Sequence, residues 1–323
     1  MHDVVNKSSS VKLFLAPMEG VTDFVMRDTL TQLGGINQCT TEFMRVTHHL
    51  HPNSVFYRFC PELNTNGRTR AGVPVFVQLL GGHAEPLAAN AVRAVELGAP
   101  GVDLNFGCPA KTVNRHDGGA TLLKYTDRIF NIVKTVRAAV PQHIPVTAKI
   151  RLGFDNPASC IENAIAIEQA GASALTVHCR TKTDGYKPPA YWEWIPKIKE
   201  HVKLPIVANG EIWTTADFKN CLTVTACENY MIGRGALRNP FIFSHIKDEL
   251  KSTVVESPMP LSLLPGFFQS CENNINGYFA TSRTKQWLAQ LRFTSEHAKS
   301  LFDEIKVIKK PIEFKERLNQ LLG

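Results

Sequence analysis

The feature that most constrains this chain is a rhythm. Short apolar, β-branched runs recur eight times: LFLAP from 13, QCTTEF from 38, VPVFVQLL from 73, GVDLNFG from 101, PVTAKIRLG from 145, ALTVHCR from 174, LPIVANG from 204 and ENYMIGRG from 228. Segments of helical period lie between most of them, such as LAANAVRAVELGA at 87–99 and RIFNIVKTVRAAV at 128–140. Strands alternating with helices imply βα units and a parallel sheet. Eight units suit a closed (β/α)8 barrel better than a doubly wound sheet, which has fewer strands. The expected fold is therefore α/β, a TIM barrel over 12–249 behind a polar N-terminal extension at 1–11.

Each run delivers a chemically distinctive residue at its C-terminal end: Pro17 and Met18, Glu42, Gln78, Asn105, Lys149, His178, Asn209, then Gly233 with Arg234. A barrel gathers those ends at one mouth, where enzymes of this fold keep their sites. Polar residues flanking buried strands account for two or three such positions and not easily for all.

The rhythm stops after 243. STVVESPMPLSLLPG at 252–266 reads as a linker, and from Phe267 to Leu322 the pattern is helical, so a small helical domain is expected from about 250 to 323. Lys285, Arg292, Lys299 and Lys306 recur every seven residues and would form one basic stripe on an uninterrupted helix; Thr294 and Ser295 offer caps that would break it. Residues 283–310 carry seven cations against three anions, within a chain of formal charge +7. Such a balance suits a polyanionic partner, although a solvated helix face produces the same pattern. Eight cysteines without a C-x-x-C pair give neither a zinc ribbon nor a redox dithiol, and no metal is expected. The polar opening MHDVVNKSSS and the lack of a bilayer-length apolar run place the chain in the cytoplasm and off the membrane.

At the mouth, NGEIW (209–213) and MIGRGAL (231–237) fall after the seventh and eighth strands, where barrels commonly hold phosphate. Gly210, Gly233 and Gly235 would let backbone N–H groups approach, and Arg234 would add a bidentate grip; tight turns alone are the plainer reading of the glycines. Lys149 fits either a Schiff-base amine or a fixed cation facing an anionic cofactor. Cys108, in a loop beside Lys111 and Arg115, fits an exposed acid or nucleophile, or a packing residue. His178 fits a donor to a bound ring or phosphate as well as it fits a satisfied core histidine. Tyr186 and Lys187 offer a ring and a cation suited to an extruded base, or a loop anchor.

Taken in order, LAPMEGVTD (15–23), TEFMR (41–45), VQLLG (77–81), DLNFGCPAKTV (103–113), AKIRLG (148–153), VHCRTK (177–182), ANGEI (208–212) and IGRGAL (232–237) resemble the tRNA-dihydrouridine synthases. CPEL (60–63), NGEIW and TKQWL (284–288) look most like the branch acting on uridine 16 of the D-loop. The resemblance implies FMN at the mouth, reduced by NADPH. Pro17, Met18 and Glu19 would line the flavin, and Gln78 and Lys149 would contact its ring and ribityl region. Asn209, Gly210, Glu211, Gly233 and Arg234, joined by His178, would hold its ribityl and phosphate end. Hydride would pass from the flavin to C6 of uracil, and Cys108 would protonate C5 from the opposite face. Asn105 would position the base, with Arg45, Tyr186, Arg283, Lys285, Gln290 and Lys306 as RNA contacts. The implied partner is tRNA, bound by a monomer. Phe106, the charged NRHDGGA at 114–120 and Cys179 depart from the family's usual residues. Three rivals stand beside this reading: a flavin barrel acting on a free pyrimidine, a Schiff-base aldolase using Lys149, and a non-catalytic tRNA chaperone.

Overall fold

The computed structural model describes residues 11–115, 117–253 and 257–322, so most of the N-terminal extension and part of the linker lie outside it. Its strands are β1 (Lys12–Leu15), β2 (Gln38–Thr40), β3 (Met44–Arg45), β4 (Val75–Leu80), β5 (Val102–Asn105), β6 (Val146–Gly153), β7 (Ala174–Thr181), β8 (Ile206–Asn209) and β9 (Asn229–Ile232). Every pairing between them is parallel. Because β1 pairs with both β2 and β9, and β2 pairs with β4, eight strands close into a ring. The remaining two-residue β3 rides on the end of β4. The barrel is thus the expected one, with one local difference. The QCTTEF run divides because Thr41 leaves the strand geometry and its hydroxyl accepts from Gln78 N at 3.0 Å.

All six residues of β4 are buried, as a strand covered on both faces requires. The helix after β5, Thr126–Ala139, buries Ile129, Ile132, Val133 and Val136, spacings that form one stripe facing the sheet. The helix after β8, Thr215–Thr225, starts where Thr214 and Asp217 form a reciprocal capping box. The last barrel helix, Ile242–Leu250, runs past the point where the strand rhythm fades in the sequence.

Four helices follow: Leu264–Asn274, Gly277–Leu291, Glu296–Ile305 and Pro311–Leu322. Ser295 caps the third of them, its hydroxyl accepting from Ala298 N at 3.1 Å. That cap breaks the seven-residue phase, so Lys285 and Lys299 sit on different helices and no single basic stripe forms. This region is fastened to the barrel. Trp287, 1% exposed, donates its indole N–H to Leu237 O at 3.0 Å and meets the Phe267 ring edge-on. Arg283 pairs with Asp23 at 2.7 Å, in the turn after β1.

Candidate active site

The C-terminal ends of the strands surround a cavity of about 700 Å³. Pro17, Met18 and Glu19 reach it from β1, Gln78 from β4, Asn105 and Cys108 from β5, Lys149 from β6 and His178 from β7. Asn209, Gly210 and Glu211 follow β8, Gly233 and Arg234 follow β9, and Tyr186 and Gln290 border the rim. Residues far apart in sequence are thus brought together by the ring of parallel strands.

One side holds the thiol. The Asn105 side-chain carbonyl accepts from Gly107 N at 2.9 Å and Cys108 N at 3.0 Å, turning the chain back over the end of β5. Its amide donates to Gln78 Oε1 at 2.9 Å, and Gln78 donates in turn to Asp103 at 2.7 Å. Asp103 is buried and also accepts from Thr147; burial raises its pKa. Asn105 therefore braces the loop that carries the thiol, where the sequence reading had it touching the base. Cys108 is 7% exposed, packed with Leu80 and Val113, and not the exposed group its loop position implied. Burial pushes its pKa above the ordinary value of 9.0, with Glu19 adding to the rise and Arg151 opposing it. The group is a protonated thiol at neutral pH, an acid and not a ready thiolate.

The loop beyond is tied down, not free. Asn114 donates to Cys108 O at 2.9 Å and Ala110 O at 2.7 Å, and Asp117 pairs with Arg128 at 2.7 Å. Gly119 has φ +61°, and a Cβ there would lie 2.8 Å from Cys108 O, so glycine is required where the loop returns beneath the thiol. Lys111 and Arg115 are exposed, and Lys111 borders the cavity.

Beside the thiol strand begins a group of cations, Lys149 lying in register with Asn105 across the β5–β6 pair. Lys149 Nζ donates to Asn209 Oδ1 at 3.0 Å, and Asn209 donates to Met231 O at 2.8 Å, joining β6, β8 and β9. Burial lowers the Lys149 pKa to about 8, helped by Arg151 and opposed by Asp103. Arg180, fully buried, pairs with Glu211 at 2.7 Å, and Arg234 meets the same carboxylate at 3.3 Å. His178 is held neutral, its pKa well below the usual 6.5, because it is buried and then because Arg151, Lys149, Arg180 and Arg234 surround it. A neutral imidazole donates from one nitrogen only.

Sequence reasoning missed Arg151, Arg180 and Asp103. Arg151, 2% exposed, donates to Gly107 O at 2.9 Å, Thr181 O at 2.9 Å and Gly185 O at 2.8 Å, linking the thiol loop to the loop that carries Tyr186. Two arginines spaced at i and i+2 from strand residues that already face the mouth, Lys149 and His178, were the available signal. Four expected RNA contacts lie outside the cavity lining. Arg283, 6% exposed, is taken up by Asp23 and the carbonyl of Gly20, and Lys285 by the carbonyl of Ile308. Arg45 and Lys306 are exposed, the latter beside Asp303.

A barrel mouth that gathers a buried thiol and a cluster of buried cations around one cavity is the layout of an enzyme able to hold an anionic guest. Residues 14–322 match the family described as Dihydrouridine synthase (Dus). A tRNA-dihydrouridine(16) synthase of Neisseria meningitidis serogroup A is 43% identical over 312 residues, 95% of this chain and 94% of that protein. Another, from Pseudomonas putida, is 47% identical over 300 residues, 92% and 93% of the two chains. The solved structure of a variant of NCR from Zymomonas mobilis matches with a TM-score of 0.53 at 14% identity, over 77% of this chain and 89% of that one, a likeness of fold alone. The chain belongs to the dihydrouridine synthase family.

Proposed function

We propose that this chain reduces uridine 16 in the D-loop of tRNA to 5,6-dihydrouridine, with FMN as its bound cofactor and NADPH as the reductant. The residues present suit FMN. The cavity volume lies within the ~300–1,000 Å³ usual for such ligands. Gly210, at φ +125°, leaves a gap that a Cβ would close onto His178 Cδ2 at 3.2 Å. The buried terminal nitrogen by which Arg180 pairs with Glu211 meets that carboxylate out of hydrogen-bond alignment, so its N–H groups remain available to a guest. Lys149, Arg180 and Arg234 together supply the positive charge that an anionic flavin needs. Pro17, Met18, Glu19 and Gln78 would line the ring, and Asn209, Gly210, Glu211, Gly233, Arg234 and His178 the ribityl and phosphate end.

Bound FMN supplies the hydride for C6 of the uracil and is restored by NADPH. Cys108 holds the proton destined for C5, and its raised pKa keeps that proton in place between turnovers. Asn105 and Arg151 fix the loop from which the thiol donates. Tyr186, 55% exposed at the rim, offers a face to the base once it leaves the loop stack, which costs a few kcal/mol that contacts elsewhere on the RNA offset. The helical region from about 250 to 323 binds the tRNA body, with Gln290, Arg45 and Lys306 as contacts; Arg283 and Lys285 act as braces instead. The reading takes the protein to be a cytoplasmic monomer. No helix among the described residues is long and apolar enough to cross a membrane.

The observation that carries this reading is the placement of Cys108, a neutral thiol lining the same cavity as the buried cations. The test is incubation of the purified protein with FMN, NADPH and an unmodified tRNA transcript, followed by mapping of dihydrouridine. Reduction at position 16 supports the whole reading. Reduction elsewhere removes the site choice, and turnover by a protein that never binds flavin removes the cofactor.

A further inference from the structure

From the cavity rim outward, rings and guanidinium groups alternate along one path. Arg234 stacks on Tyr186 at 5.1 Å and on Trp213 at 4.8 Å from the ring centroids. Arg238 covers Trp213 at 4.3 Å and Phe293 at 4.8 Å, and Arg292 covers Phe293 at 4.7 Å. The path begins at the rim of the cavity and ends in a second cleft of about 640 Å³ on the helical region, bordered by Arg292, Phe293 and Lys299.

Two properties set this path apart from ordinary surface charge. First, Arg238 and Arg292 have no carboxylate partner within 4.0 Å among the described residues, whereas Arg70, Arg93, Arg128 and Arg317 each have one. Their side-chain N–H groups make no hydrogen bond among the described residues, and Nε of Arg238 is buried without an acceptor. Second, the rings are only partly spent, since Tyr186 is 55% and Phe293 59% exposed. Guanidinium groups lie over rings, and the N–H groups of Arg238 and Arg292 stay open. That combination takes phosphate on the edges and unstacked bases on the free ring faces, the chemistry by which proteins grip single-stranded nucleic acid.

We infer that Arg238, Phe293 and Arg292, continuing outward from Tyr186 and Trp213 at the cavity rim, form an RNA track that carries the strand flanking the target uridine to the cleft beside Ser295. The inference rests on tRNA being the substrate. It moves the RNA contacts away from Arg283, whose charge is paired with Asp23, and from Lys285, which is turned to the carbonyl of Ile308, to Arg238 and Arg292, whose charges are open.

The test uses Arg238→Ala, Arg292→Ala, the double variant and Phe293→Ala, none of which lines the flavin cavity. Binding of an unmodified tRNA transcript is titrated at several salt concentrations, alongside steady-state reduction and the visible flavin spectrum. Each arginine that neutralises one phosphate should lower the salt slope by about 0.7–0.9, and the double variant by about 1.5. Phe293→Ala should weaken binding roughly 5-fold or more while leaving the slope in place. The losses should fall on KM for tRNA more than on kcat, with flavin content retained. Arg292→Lys, which keeps the charge and loses the planar face, should keep the slope and weaken binding, and it serves if an alanine variant fails to fold. A double variant that folds and binds tRNA with wild-type affinity and slope would overturn the track. The binding arm scores the track by itself. Wild-type protein that binds tRNA and forms no dihydrouridine would instead refute the proposed reaction.

Discussion

Asn105 separates two accounts of the site. If it brackets the base, its loss should raise KM for tRNA; if it braces the thiol loop, its loss should lower both stability and kcat. Replacement by alanine strands three partners: the N–H groups of Gly107 and Cys108 and the carbonyl of Gln78. At about 1 kcal/mol for each half-buried group, the expected destabilisation is about 3 kcal/mol. For a chain of this size that lowers Tm by roughly 4–5 °C. Cys108 then loses its fixed position, and a displacement of about 1 Å at a reacting group costs on the order of 100-fold in rate. Asn105→Asp isolates the Gln78 contact, because its carboxylate still accepts from both backbone N–H groups and sets a second oxygen against Gln78 Oε1. Gln78 has no easy escape by flipping, since its amide already serves Asp103. Melting curves, single-turnover reduction and tRNA titration on wild type, Asn105→Ala and Asn105→Asp provide the comparison. An alanine variant with wild-type Tm and kcat and only a raised KM would refute the brace.

Further outcomes follow from the same geometry. Cys108→Ala should keep tRNA and flavin while losing reduction by about 10²–10⁴-fold, measured in single turnover; full activity would remove it as proton donor. Lys149, with its pKa near 8 in the ligand-free protein, loses charge as pH rises through that value, so flavin affinity should fall above pH 8 and Lys149→Met should abolish that dependence. The sign for stability is opposite. The unfolded chain binds the extra proton between about 8 and the ordinary 10.5, so this group makes the ligand-free fold more stable as pH rises across that interval, to be read from Tm against pH. Glu211→Gln leaves buried Arg180 without its carboxylate and should destabilise the apo protein by about 3 kcal/mol, measured by denaturant titration.

The barrel was legible because its signal is repetitive. Eight runs ending in chemically active residues are hard to produce without a mouth at which they meet, and β5, β6, β7 and β8 start or stop within a few residues of the expected positions. QCTTEF misled because composition does not reveal a hydroxyl such as that of Thr41 leaving the ladder to serve the neighbouring strand. The lining was legible where the residue stands at or just past a strand end, as with Asn209 and Arg234; Lys149 also lines the cavity, from the middle of β6, which runs on to Gly153. Roles were less so. Asn105 and Arg283 carry side chains suited to RNA, yet both turn inward, because which backbone groups want partners is decided by loop paths that sequence spacing does not encode. The burial of Cys108 likewise depends on Leu80 and Val113 closing around it from separate segments.

The bolt between the tail and the barrel has its own consequence. Arg283 grips Asp23 and the Gly20 carbonyl, four and one positions beyond the Pro17–Glu19 stretch at the cavity wall, while Trp287 sits on Leu237, just past Arg234. The appendage and the catalytic vessel therefore share fittings at both ends of the strand order. Grafting the terminal helices of one relative onto the barrel of another should fail unless the first turn and the segment after the last strand travel with them.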